Sequence, residues 1–322
     1  MKAVMDFPAS PLLRHQIESS IPDWLEVSFG DYENEAQLER SLANADVLLH
    51  VLQPVNQDLM MKAPSLKLVQ KIGVGVNTID LSAAAARGIR VANMPGTNSI
   101  AVSEATIALM LAVLRRLAPL NAATCEGNGW VLAPDATDNI GELSGRTVGL
   151  LGCGAIPRLL IPILRAFGSN VQFWSRAPVS DMVIPQVDFE TLVSTSDIVS
   201  LHLPLNDDTR NIINSSALDL MRPGSILINT ARGPLVDEGA LIKALSSGKL
   251  RGAGLDVFAQ EPTPNDNPLL SMSNVIVTPH VAWLTAETIG RSMCVIVENC
   301  TRLRDGSPLL NEIALEKPIR MA

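Results

Sequence analysis

Two α/β domains, each a largely parallel sheet sheathed in helices, are the fold class this chain predicts. Three observations carry that expectation. The chain has 322 residues, 47% of them hydrophobic, which is more apolar material than one core holds. Aromatics make up only 3%, so Leu, Val, Ile and Ala must do most of the packing, as they do between helices and a buried sheet. Short apolar runs also alternate with helix-length polar segments along most of the chain, the pattern of βαβ units.

In the first hundred residues, Trp24–Phe29, Val47–Leu52, Leu68–Ile72 and Ile89–Ala92 read as strands. Asn34–Ala43, Asn56–Lys62 and Leu81–Arg87 between them read as helices. Ser99–Leu120 is apolar nearly all round, so it reads as one buried helix bridging the first domain to the second. Residues 121–142 carry Gly127, Gly129, Trp130 and Pro134 and read as an arm or loop, with Trp130 at a subunit contact or packed locally. A second alternating series gives six strands: Thr147–Leu151, Asn170–Trp174, Asp197–Leu201, Ser225–Asn229, Arg251–Asp256 and Val275–Thr278. Ala286–Arg304 reads as a helix returning the chain to the first domain.

Composition excludes several classes. Net charge is −8 without a basic stripe, so no nucleic-acid partner is expected. The longest strongly apolar stretch, Ile107–Leu114, is far short of the roughly 20 residues that span a bilayer, so no membrane partner is expected. The N-terminus has no apolar leader. Four scattered cysteines form no CxxC pair, so no metal site or disulfide framework is indicated. A cytoplasmic location fits reduced thiols.

The second series opens on a glycine turn, Val148-Gly-Leu-Leu-Gly152-Cys-Gly154-Ala-Ile-Pro157. Gly152 suits the tight turn and Gly154 the close approach of a pyrophosphate, with the amides of Ala155 and Ile156 as donors at the helix start. Six strands after such a turn describe a doubly wound dinucleotide-binding domain. Pro157 replaces the third glycine; in a first helical turn it loses no hydrogen bond. Cys153 reads as a small filler. After the second strand stand Ser175 and Arg176, where an NAD site usually has a carboxylate about 20 residues past the turn. A hydroxyl and a guanidinium suit a 2′-phosphate, which favours NADP(H) over NAD(H); the plain alternative is a solvated arginine.

Of four histidines, His15 reads as surface and His50 as packed. His202 ends a strand and either lines the cofactor crevice or supports it. His280 ends Val275-Ile-Val-Thr-Pro279, and imidazole has the affinity needed to deliver a proton near neutral pH. Arg232 follows Ser225–Asn229 and suits a carboxylate. Asp256 and Glu261 follow the next strand; a carboxylate beside His280 would favour imidazolium and fix its tautomer. Arg232 or Glu261 alone reads as a surface ion pair; together with His280, at successive strand ends, they read as a site.

The segments KIGVGVNTID (71–80), AVSEAT (101–106), GLLGCGAI (149–156), HLPLNDDTR (202–210), INTARGPLVDE (228–238), GLDVFAQEP (254–262) and TPHVAW (278–283) resemble the D-isomer-specific 2-hydroxyacid dehydrogenases. The resemblance covers nearly the whole chain. It implies a flavodoxin-like discontinuous substrate domain, 1–99 plus 294–322, and an NAD(P)-binding Rossmann domain, 100–293, with the active site in the cleft. It implies Arg232 as carboxylate binder, Glu261 as partner of the histidine and His280 as proton donor. Asp256 would hold the nicotinamide carboxamide. Thr106, Pro204, Thr209, Thr230 and Ala231 would lie along the cofactor, and the backbone of Val74 and Gly75 would grip the substrate carboxylate. Trp283 would wall the substrate pocket or make a dimer contact. A homodimer is implied, with an arm at 120–145.

Departures narrow the expected substrate to a small 2-oxo or D-2-hydroxy acid of the glyoxylate or hydroxypyruvate kind. Val74 stands where phosphite-oxidising relatives have lysine, and Glu261 where formate-oxidising ones have glutamine. The lack of a C-terminal regulatory extension argues against the long phosphoglycerate-oxidising forms. Asn77 stands where aspartate is frequent, a local structural change. The Ser175–Arg176 pair resembles NADPH-using reductases. The rival expectation is a nicotinamide-cofactor-sensing binding protein of the C-terminal-binding corepressor type.

Overall fold

The computed structural model describes residues 1–30, 34–131 and 140–315. The chain divides into two compact units, 1–98 with 284–322 and 99–283.

The first unit holds a five-stranded parallel sheet in the order β2-β1-β3-β4-β5. Its strands are β1 (Lys2–Met5), β2 (Glu26–Phe29), β3 (Val47–His50), β4 (Leu68–Lys71) and β5 (Arg90–Ala92). Every residue of β3 and β4 is buried, because helices cover both faces of a parallel sheet. Four helices link the strands: α1 (Pro11–Glu18), α2 (Glu35–Leu42), α3 (Gln57–Met61) and α4 (Leu81–Arg87). Ser10, Asn34, Asn56 and Asp80 cap their first turns through side-chain oxygens. Gly88 ends α4 in the left-handed region. The strand β1 was not expected from the sequence, yet it pairs on both sides.

The order places the winding reversal between β1 and β3, and a buried polar network closes it. His50 Nδ1 meets Asp6 Oδ2 at 2.5 Å and Nε2 meets Thr78 Oγ1 at 2.8 Å. His50 is therefore packed, as expected, and His15 is exposed.

The second unit holds a six-stranded parallel sheet in the order β11-β10-β9-β8-β6-β7. Its strands are β6 (Thr147–Leu151), β7 (Asn170–Trp174), β8 (Ile198–Leu201), β9 (Ser225–Asn229), β10 (Leu250–Leu255) and β11 (Val275–Val277). The expected helix over 99–120 breaks. α5 (Ser99–Leu114) is a buried helix packed on β9, β10, β11 and α7 (Ala155–Ala166). Arg116 then takes a left-handed φ of 51°, and α6 (Leu117–Cys125) starts afresh and runs on into the stretch from 121 that was expected to be irregular. Trp130 is 90% exposed rather than packed locally. The rest of the expected arm, 132–139, lies outside the described residues. The remaining helices are α8 (Phe189–Thr195), α9 (Ser215–Leu220) and α10 (Glu238–Ser246).

The final helix α11 (Ala286–Asp305) belongs to the first unit over its whole length. The return to that unit thus falls at 284 rather than at the expected 294. The physical reason is continuity: one unbroken helix moves as a body, and it is tied by Arg291 to Thr97 O (2.7 Å) and by Asn299 to Gln70 (2.6 Å).

No helix among the described residues is long and apolar enough to cross a membrane, and no group of His, Cys, Asp and Glu there could hold a metal ion.

Candidate active site

In the second unit the chain turns back between β6 and β8, and ligands of open α/β sheets bind outside the carboxyl ends of the strands at such a point. The glycine turn and His202 stand there. Gly152 has φ 116°, and a Cβ on it would lie 2.6 Å from the His202 carbonyl oxygen. Only glycine lets β6 turn this tightly against the end of β8. A Cβ on Gly154 would meet nothing within 4 Å, so the space above the turn is open. Gly154 caps α7 without a side-chain bond, leaving the first amides of the helix, those of Ala155 and Ile156, for an anion. The donor set thus fits the pyrophosphate of a dinucleotide. Pro157 is buried in the first turn and packs where the third glycine was expected. Cys153 packs half-buried beside the core, a filler.

His202 bonds Ser200 Oγ through Nε2 at 2.9 Å, and burial pushes its imidazole down to about 3, so it is neutral at physiological pH. Ser175 is tied through its hydroxyl to Ala177 O, and Gln186 donates to it at 3.1 Å. Arg176 is exposed and paired with Asp208 at 2.6 Å, the solvated pair weighed against a phosphate role. Thr209 caps its own loop, bonding Pro204 O at 2.7 Å. Thr106 lies inside the fold. It is fully buried and bonds Val102 O (2.7 Å) and Thr230 Oγ1 (3.0 Å), bracing the end of β9.

At the ends of β9, β10 and β11 the backbone keeps pairing beyond the strands. Asp256 N donates to Asn229 O (2.9 Å), Thr278 N to Leu255 O (2.9 Å) and His280 N to Asp256 O (2.7 Å). This stitching brings the segments of Arg232, Glu261 and His280 together. Asn229, 1% exposed, accepts from Ala231 N and donates to Arg232 O, which turns the chain after β9. A Cβ on Gly233 would lie 1.8 Å from Phe258 O, so the Arg232 segment touches the Glu261 segment backbone to backbone.

Glu261 accepts from Phe258 N at 2.9 Å and meets His280 Nδ1 at 2.6 Å. Burial works to raise the Glu261 carboxyl, but the bond and charge of His280, the Phe258 N–H and the charge of Arg232 outweigh it and hold it below its usual range. It is a carboxylate at neutral pH. Burial lowers the Arg232 guanidinium, with Glu261 opposing. With Nδ1 on Glu261, Nε2 is the ring nitrogen left for chemistry.

His280 adopts a left-handed φ of 55°, which an L residue holds only where its surroundings enforce it. Asp256, 1% exposed, supplies much of the enforcement. Its carboxylate accepts from Thr278 Oγ1 (2.6 Å), Val281 N (2.9 Å) and Ala282 N (3.0 Å). Burial raises the Asp256 carboxyl against these three donors. The sequence placed Asp256 in the site but assigned it to a nicotinamide, missing its grip on the 278–282 turn; an aspartate interrupting an apolar strand end was the only signal. Trp283 is buried, its indole N–H on His280 O at 3.0 Å, so it also supports the turn.

In the first unit, Val74 is 48% exposed, and Asn93 donates to its carbonyl at 2.8 Å. Among the described residues, no acceptor is bonded to the N–H groups of Val74, Gly75 and Val76. Three consecutive N–H groups are thus open.

Known proteins share this architecture. Residues 107–282 match the D-isomer specific 2-hydroxyacid dehydrogenase, NAD binding domain. A D-3-phosphoglycerate dehydrogenase of Archaeoglobus fulgidus is 34% identical over 95% of this chain, which spans only 58% of that relative. The chain therefore covers little more than half of such relatives, and its length does not speak against them. A hydroxypyruvate reductase of Thermotoga maritima is 36% identical over 91% of this chain and 94% of its own length. The crystal structure of an NADPH-dependent glyoxylate/hydroxypyruvate reductase from Sinorhizobium meliloti, in complex with NADP and malonate, superposes with a TM-score of 0.82 at 29% identity, covering 100% of this chain and 98% of that one. By the match over more than half its length and by these relatives, the chain belongs to the D-isomer-specific 2-hydroxyacid dehydrogenase family.

Proposed function

We propose that this protein is an oxidoreductase that reduces a small 2-oxo acid of the glyoxylate or hydroxypyruvate kind to the D-2-hydroxy acid. The observation that carries the reading is the pairing of His280 Nδ1 with the Glu261 carboxylate at 2.6 Å, which leaves Nε2 to deliver a proton. Arg232, whose segment abuts that of Glu261, orients the substrate carboxylate by a two-pronged bond and polarises the keto oxygen. In the first unit, the open amides of Val74 and Gly75 suit a carboxylate. Asp256, Thr278 and Trp283 position the His280 turn.

A bound nicotinamide cofactor supplies the hydride to C2. Gly152, Gly154, Ala155 and Ile156 hold its pyrophosphate, and Ser175 and Arg176 favour a 2′-phosphate, hence NADP(H). The Arg176–Asp208 pair is exposed, and such pairs are worth about 0–1 kcal/mol, little hindrance to exchange for a phosphate. The functional unit is a homodimer in the cytoplasm, a reading resting on the family alone.

The test is cofactor oxidation at the nicotinamide absorbance band with a panel of 2-oxo acids, NADH and NADPH in parallel. His280→Ala is expected to abolish turnover while cofactor still binds. Near-normal turnover in that variant would refute the assignment. Cofactor binding without turnover on any 2-oxo acid would move the reading to a cofactor-sensing binding protein.

A further inference from the structure

At the opposite edge of the second sheet, before the strands begin, lies a cavity of about 710 Å³ lined entirely by the second unit. That is within the range of roughly 300–1,000 Å³ typical of small-molecule sites. Val113, Leu245, Leu250, Met272 and Ile276 form apolar walls, and Arg116 and Arg251 line it as well.

The charge here is unusual. Burial, and after it the like charges of Arg146 and Arg116, push Arg251 below its ordinary value. Arg146 Nη2 and Arg251 Nη1 converge at Gly141, 2.5 and 3.3 Å from where a Cβ there would stand. Arg251 Nη2 is buried without a hydrogen-bond partner. Among the described residues, no carboxylate pairs with any of the three; Glu142 offers Arg146 only its backbone oxygen, at 2.6 Å.

Helix ends do not cancel this charge. The C-terminus of α5 and the uncapped N-terminus of α6 meet at Arg116 and offset each other. The C-terminus of α10 contributes about half a negative charge. Among the described residues about two and a half positive charges are left, and a buried guanidinium N–H without an acceptor is costly. An oxyanion removes both penalties.

We propose that this cavity is a second ligand site, distinct from the glycine turn, for a small amphiphilic oxyanion: a phosphate or carboxylate group on an apolar body. The group is held by Arg251 and Arg116, with Arg146 beside them, and the body lies on the apolar walls. The proposal is independent of which reaction the other edge performs.

Titration calorimetry with hexyl phosphate, hexanoate, inorganic phosphate and hexanol tests it, each with and without saturating NADPH. One site per chain is expected, with hexyl phosphate or hexanoate at least tenfold tighter than inorganic phosphate and hexanol silent. The preferred head group separates phosphate from carboxylate ligands. Binding should persist with NADPH present and weaken at least tenfold in both Arg251→Gln and Arg116→Gln, each checked for retained NADPH binding. Absence of binding at millimolar ligand, unchanged affinity in both variants, or displacement by NADPH overturns the proposal. So does an Arg251→Gln chain that binds no less anion but sediments as a smaller species, which would give the arginines to a contact with a second copy.

Discussion

Replacing Asp256 with asparagine tests the physical account of the His280 turn. The carboxylate takes three donors, at 2.6, 2.9 and 3.0 Å. An amide can keep its oxygen toward Thr278 and Val281, but its NH2 then faces the N–H of Ala282, a residue 8% exposed. Losing one charge-assisted bond and stranding that N–H costs about 1.5–3 kcal/mol, and the two remaining bonds weaken as the acceptor becomes neutral. Burying an amide in place of a carboxylate returns part of this, because burial already disfavours the charged Asp256. The net loss is about 2–3 kcal/mol, which in a domain of this size lowers Tm by about 4–12 °C. Activity should fall further. The left-handed His280 stores about 1–2 kcal/mol of strain. If the turn relaxes by that amount, the competent population drops by about five- to thirtyfold. Thermal unfolding and kcat/KM read the two effects. An Asp256→Asn enzyme that unfolds within about 2 °C of the parent and keeps more than half its kcat/KM would refute the reasoning.

Further outcomes follow from the same geometry. Glu261→Gln should destabilise the fold at pH 7, and the gap to the parent should close below the ordinary glutamate value of 4.5. A carboxyl held low in the fold contributes above its unfolded pKa and loses that contribution as pH falls through its folded value; urea unfolding at pH 7 and pH 4 reads this, and a constant gap contradicts it. Gly233→Ala puts a Cβ 1.8 Å from Phe258 O, so the Arg232 and Glu261 segments must separate. Soluble yield or Tm should drop sharply and turnover should be lost, and a fully active, stable variant would show that the approach is not required. Arg176→Ala should lower kcat/KM with NADPH about tenfold or more and leave NADH within about twofold, because a charge-assisted bond of roughly 1.5–3 kcal/mol is removed from one cofactor only. Equal loss with both cofactors would assign Arg176 to the fold.

What the sequence conveyed depended on how local the cause was. Leu81–Arg87 was legible to the residue because its cap Asp80 and its stop Gly88 adjoin it. Strand β1 was not, since Lys2–Met5 is four residues long and owes its place to partners in both β2 and β3. The break at Arg116 had one local signal, Pro119 in the first turn of α6, which the apolar run around it masked. Arg232, Glu261 and His280 could be singled out because each follows an apolar strand at the same sheet edge. The agents that shape them were not: Asn229 is one more polar residue at a strand end, and Asp256 acts on a turn 22–26 residues away. His50 could be read as packed, but its partner Asp6 lies 44 residues distant.

The discontinuity of the first unit bears on the order in which the molecule is made. Its five strands leave the ribosome before any residue of the second unit, yet Gln70, buried in β4, waits 229 residues for Asn299. Until then its side-chain oxygen lacks that partner. The second unit, one unbroken run of chain, can close as soon as residue 283 emerges. The part synthesised first is thus the part finished last, and during elongation its exposed, strand-rich surface is the stretch most in need of protection from aggregation.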